Sequence, residues 1–161
     1  MIRSRRAGEV LITLREWLTR YHPLRGGVWD EVVIAFYARA AGNTRVLSYF
    51  VAMKTDIPDL QRHFLAALLI VLHSGVSVGV VRTMHEKHAH IRNLDGEPIT
   101  DEIFDAVVAV LAGVIAEKLV ECEIDAAPVI LELARTVEPL RQAVVGSFDE
   151  DADVVDEGAP A

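Results

Sequence analysis

The sequence predicts an all-α protein. Three observations carry that expectation. Apolar residues recur at three-and-four spacing through every long segment, alternating apolar-polar stretches are scarce, and Pro and Gly gather at a few points that punctuate the segments. At 161 residues the chain corresponds to one domain of roughly 150 residues. Hydrophobic residues make up 52% of it and charged residues 25%. That proportion supports a sizeable core and excludes disorder over most of the length.

The elements follow in chain order. Ala7 to Arg20 forms a short amphipathic stripe through Val10, Leu14, Trp17 and Leu18. His22-Pro23 and Gly26-Gly27 then interrupt the chain. A second helix is predicted from Val28 to Ala41, where Val32, Val33, Phe36, Tyr37 and Ala40 make a buried stripe, and Gly42-Asn43 stops it. Thr44 to Ala52 is a short segment carrying Tyr49 and Phe50. Asp56 is a candidate N-cap and Pro58 suits a first turn, opening a helix with Ile57, Leu60, Phe64, Leu68 and Leu72 on one face. Gly75 and Gly79 loosen the chain around Ser74 to Ser77. Val81, Met84, His88 and Ile91 form the next stripe, ended by a loop at Asp95-Gly96 and Pro98. Thr100 caps a helix whose first turn holds Asp101 and Glu102, both favourable at the positive end of a helix dipole. Ile103, Val107, Leu111, Val114 and Leu119 mark its inner face. Asp125 caps the last helix, with Val129, Leu133, Val137 and Leu140 inside. From Phe148 to Ala161 the composition turns acidic and reads as a solvated, disordered tail. The organisation predicted is therefore an N-terminal extension over 1–25, a main domain over 26–147 and a tail over 148–161.

Charge and cysteine content narrow the function classes. Sixteen Lys and Arg against 24 Asp and Glu leave a formal net charge of −8, which repels phosphates and argues against a nucleic-acid partner. A single Cys, Cys122, supports no internal disulfide framework and fits a reducing compartment. The longest apolar run, Phe64 to Leu72, is about half of the roughly 20 residues a membrane span needs, so no membrane partner and a cytoplasmic location are expected. A phosphate-cradling glycine loop and a nucleophile elbow are both missing.

Three polar residues interrupt the apolar stripes: Tyr37, Gln61 and His88. A buried polar group costs a few kcal/mol unless it is partnered, so three intrusions on three helices point to a shared polar pocket. The neighbouring histidines separate by helical phase. His88 follows Val81 and Met84 and points inward, His90 follows Thr83, Glu86 and Lys87 and points outward, and His85 lies on the edge between. The spacing His85-Glu86-Lys87-His88 is not the H-E-x-x-H of zinc hydrolases, and without a nearby Cys a structural zinc site is not expected.

Taken in order, these residues resemble the truncated haemoglobins, specifically the group I-like members that keep an apolar residue rather than Trp at the start of the sixth globin helix. Gly26-Gly27 resembles the glycine pair after the family's short first helix, and Phe36-Tyr37 its F-Y pair. Ser48-Tyr49-Phe50 is similar to the aromatic pair packed on the haem. Leu60-Gln61-Arg62-His63-Phe64-Leu65 resembles the distal helix, and Met84-x-x-x-His88-x-x-Ile91 the proximal segment. Ile99-Thr100-Asp101-Glu102-Ile103-Phe104-Asp105 resembles the capped entry to the next helix, where Val107 takes the place of the sister group's Trp. The likeness covers about residues 26 to 146. It departs from the family at His73-Ser74-Gly75-Val76, where a Gly-Gly-Pro is usual, and in a longer loop after His88. A different placement of that gap makes His90 the rival proximal residue; the apolar stripe favours His88.

The resemblance implies a two-over-two helical sandwich with an extra N-terminal helix, holding haem b (iron protoporphyrin IX). His88 is then the iron ligand. Phe50, Ile57, Phe64, Leu65, Met84, Ile91, Val107 and Leu111 line the slot, and Tyr37 and Gln61 are the catalytic pair that donates to a bound ligand. Ile57 stands where many globins place a polar distal residue, and whether a distal side chain such as His63 coordinates the iron at rest is left open by the resemblance. The implied ligands are O2, NO and CO. The implied activity is nitric oxide dioxygenation, or a peroxidase-like one, served by an external reductase, in a monomer or homodimer. A gas sensor or carrier, and a helical interaction module without haem, are the alternatives from other function classes.

Overall fold

In the computed structural model the described residues are 28–146 apart from 55. The predicted helix over Ala7 to Arg20, the Gly26-Gly27 pair and the acidic tail lie outside the described residues. Among the described residues the regular structure is helical: α1 (Val28–Ala41), α2 (Thr44–Met53), α3 (Ile57–Ser74), α4 (Val78–His88), α5 (Asp101–Glu121), α6 (Ala126–Val137), a 3-10 turn (Glu138–Leu140) and α7 (Arg141–Val144). The all-α expectation holds for this part of the chain.

The caps explain most of the boundaries. Asn43 accepts from the backbone N–H groups of Arg45 and Val46 and turns the chain from α1 into α2, so the short aromatic segment predicted over Thr44 to Ala52 is a true helix. Ser77 accepts from Val80, Thr100 from Ile103 and Asp125 from Ala127. Asp56 differs from the expectation. It occupies the N-cap of α3, but its carboxylate makes no capping hydrogen bond; Pro58 in the first turn supplies the start instead. Gly75 ends α3 at φ +75°, a conformation that L side chains rarely adopt.

Packing concentrates on α5. Helix α1 lies against α5, α5 against α6, α1 against α3, and α3 against α6. The main core runs through Trp29, Val32, Val114, Ile115, Leu119, Val129 and Leu133, all buried. A second, smaller cluster holds Ala40, Val46, Tyr49, Ile99 and Ile103. Phe50, Val107, Val110 and Val144 are half-buried and border both clusters. On the outside, exposed Arg39 pairs with Glu117 and half-buried Lys118 with Glu31, tying α1 to α5. Helix α4 is different in kind: it buries no residue completely and packs against the segment 138–144. No helix among the described residues is long and apolar enough to cross a membrane.

Candidate functional site

Helix α1 presents Tyr37 from a buried stripe, one turn after Val33. Its ring meets the edge of Phe36 at 5.1 Å, that of Phe64 at 5.8 Å, and tilts against Phe50 at 5.6 Å. Phe36 and Phe64 stack in parallel at 4.6 Å, which fixes α1 against α3. In this aromatic surrounding, burial pushes the phenol of Tyr37 up to about 12, so the hydroxyl keeps its proton at neutral pH. That proton is donated to the backbone carbonyl of Leu60 at 3.3 Å.

Gln61 follows Leu60 directly and is half-buried on α3. Its side-chain amide is not the partner of the Tyr37 hydroxyl; a backbone carbonyl takes that place, because helical carbonyls keep a lone pair beyond their intrahelical bond. Sequence patterns carry no signal for such an acceptor, since every residue has a carbonyl. Ile57 sits at the first position of α3 and is 41% exposed, and His63 points to solvent.

Helix α4 brings His88, half-buried, as its last residue. Its Nδ1 lies 2.7 Å from the carbonyl oxygen of Met84 one turn earlier. A carbonyl only accepts, so Nδ1 carries the proton and Nε2 keeps its lone pair. Burial lowers the pKa of this imidazole, with the bond to Met84 opposing and Lys87 and His90 adding to the lowering, so the ring is neutral at pH 7. His90 is exposed, as its helical phase predicts. His85 is half-buried, and its Nδ1 meets the carbonyl of Ala143 at 3.2 Å.

The eight residues predicted to line a slot fall into different environments. Phe50, Phe64, Leu65, Met84, Ile91 and Val107 are half-buried, Leu111 is buried and Ile57 is exposed. Phe64, Leu65 and Met84 pack on the main core, Ile91 on the smaller cluster, and Phe50 and Val107 on both. Tyr49 neighbours Phe50 in sequence and lies in the cluster that Phe50 borders. It is buried in the smaller cluster, and its hydroxyl donates to the Pro98 carbonyl at 2.6 Å, anchoring α2 to the loop before α5.

Among the described residues no three His, Cys, Asp or Glu side chains converge as a metal site. The structure brings Tyr37 together with the rings of Phe36, Phe50 and Phe64, Gln61 follows the acceptor Leu60 in sequence, and His88 is bonded within its own helix to Met84. No family model, curated protein or solved structure matches this chain.

Proposed function

We propose that this chain is a haem protein of the truncated-haemoglobin type, with His88 as the single protein ligand of the iron. The observation that carries this reading is the His88 ring. Its Nδ1–H is occupied by the Met84 carbonyl and its pKa is lowered, which leaves a neutral Nε2 lone pair. Metal-ligating histidines characteristically have this arrangement, since a carbonyl on the second nitrogen fixes the tautomer and orients the ring. The apolar, half-buried set around Phe50, Phe64, Leu65, Met84 and Val107 suits a flat hydrophobic disc better than a polar substrate. A two-over-two sandwich is supported by α1 packing on α3, α5 packing on α6, and α1 joining the pairs through α5.

When bound, haem iron supplies reversible coordination of O2, NO and CO and, with an external reductase, the oxidation of NO by O2 to nitrate. The chain's own groups shape that chemistry. His88 would hold the macrocycle through its Nε2 lone pair. Tyr37 keeps a phenolic proton on α1, ready for a ligand atom that carries partial negative charge. Because the hydroxyl has one proton and Leu60 now accepts it, donation to a ligand requires turning away from that carbonyl. Gln61 offers a second donor from the next position on α3. Ile57 brings no donor, so these two residues set ligand retention.

A hemin titration of the purified protein tests the reading. Wild type is expected to develop a Soret band, and His88→Ala to lose the five- or six-coordinate histidine spectrum while His90→Ala retains it. A His88→Ala spectrum identical to wild type overturns the ligand assignment, and a wild type that takes up no hemin overturns the haem reading altogether.

A further inference from the structure

Helix α4 has 11 residues and no fully buried side chain, so hydrophobic packing alone holds its rotation weakly. Yet its rotation decides where the His88 ring points. At 3.6 residues per turn, turning the helix by about 20° swings a ring tip about 7 Å from the axis through about 2 Å. Something must hold that angle if His88 is to serve as a ligand.

We infer that His85 is a positioning residue for His88, keying α4 to the C-terminal helix α7 through the carbonyl of Ala143; the inference rests on the role of His88 proposed above. The two histidines are three positions apart, which places them about 60° apart on one side of the helix. His85 donates from Nδ1 to the Ala143 oxygen at 3.2 Å. Helix α7 has only four residues, so most of its carbonyls lack an intrahelical donor, and His85 satisfies one of them.

Helix α7 is itself well anchored, which makes it a usable reference. Arg141 at its start pairs with Asp101 at 3.0 Å and with Asp105, both in the first turns of α5, and its guanidinium lies 4.7 Å above the Phe104 ring. Just past its end, the Gly146 N–H donates to the Ile99 carbonyl at 2.7 Å. A Cβ at Gly146 would stand 2.2 Å from Cβ of Pro98, so the backbone there lies flush against the loop. His85 carries that fixed position across to α4, and His88 inherits it.

The test uses the apoprotein at about pH 8, above the ordinary imidazole pKa. In 13C-resolved spectra, the ring C–H groups of wild-type His88 are expected to give one sharp pair of signals, the mark of a single placement. His85→Leu should replace that single pair by broadened or multiple signals as α4 samples more than one rotation, while the bond to Met84, which lies within α4 and turns with it, keeps the tautomer. His85→Asn, whose amide nitrogen takes the place of Nδ1, should restore the single pair; His85→Gln, whose amide extends one atom further, should not. An unchanged His88 signature in His85→Leu, or equal recovery by Asn and Gln, overturns the inference. If His85→Leu does not fold, as judged by the fluorescence of buried Trp29, the contrast between Asn and Gln decides alone. Since the sample contains no haem, a failure of wild type to bind hemin removes the haem reading without altering these spectra.

Discussion

The two sides of helix α5 are built to different standards. Toward α1 and α6 it buries Val114, Ile115 and Leu119 against Trp29, Val32, Val129 and Leu133, with every one of these at 2% exposure or less. Toward α2 it offers Val107, half-buried, and Val107, Phe50, Phe64, Leu65 and Met84 all pack at the edge of the core without being buried in it. The closed side does what folding requires, since burial of apolar area and close packing dominate stability. The open side leaves apolar surface short of full burial. That forgoes part of the stability that full burial would give.

Truncation probes this contrast most strongly. Leu119→Ala, on the closed side, is expected to lower apoprotein stability by about 2–5 kcal/mol, and Leu65→Ala, on the open side, by well under half as much. Urea unfolding of the two variants measures the difference. Equal losses would show that the half-buried set is ordinary core and the distinction between the sides unreal.

Tyr37→Phe separates the phenol's present role from its proposed one. In the apoprotein it removes one long hydrogen bond to a carbonyl that keeps its helical donor, so the expected loss is about 0.5 kcal/mol. In the haem-loaded protein the same change should speed O2 release by about 10–150-fold, from the roughly 1.5–3 kcal/mol of a hydrogen bond to a charged partner. Stopped-flow displacement of O2 by CO reads that rate. An unchanged rate would assign Tyr37 to packing alone.

Acidification acts through His88. Its folded-state pKa lies below the ordinary 6.5, so between that lowered value and 6.5 the unfolded chain binds more protons than the folded one. Stability is therefore fully present above about pH 6.5 and falls as the pH drops toward the folded pKa. The urea midpoint of wild type should fall over that window, and His88→Leu should flatten the decline. A decline of the same slope in both proteins would trace it to other groups.

The smallest effect is expected at the ionic seam between α1 and α5. Arg39 and Glu117 are both exposed, and exposed pairs of this kind commonly contribute nothing measurable, so Arg39→Ala should leave the urea midpoint where it was. A clear shift would mean that α1 relies on its charges as well as on its buried stripe.

Much of the helical layout is legible from residue spacing and caps. The stripe from Val32 to Ala40, the stop at Gly42-Asn43, the cap at Thr100 and the cap at Asp125 all stand where local chemistry puts them, because apolar periodicity and capping side chains act over a single turn. The inward phase of His88 and the outward phase of His90 are legible for the same reason. Asp56 marks the limit of such local reading: a side chain suited to capping is no guarantee that it caps.

The partners across the molecule were settled by assembly. Leu60 as acceptor for Tyr37, Pro98 for Tyr49 and Ala143 for His85 are backbone carbonyls 23, 49 and 58 positions away. A carbonyl has no identity in a string of residue types, so nothing along the chain singles these three out. The periodicity of the chain suffices to say which side chains turn inward. Which backbone atom each polar one finds there depends on how α1, α3, α4 and α7 come to rest against α5, and that follows from the packing of the whole set.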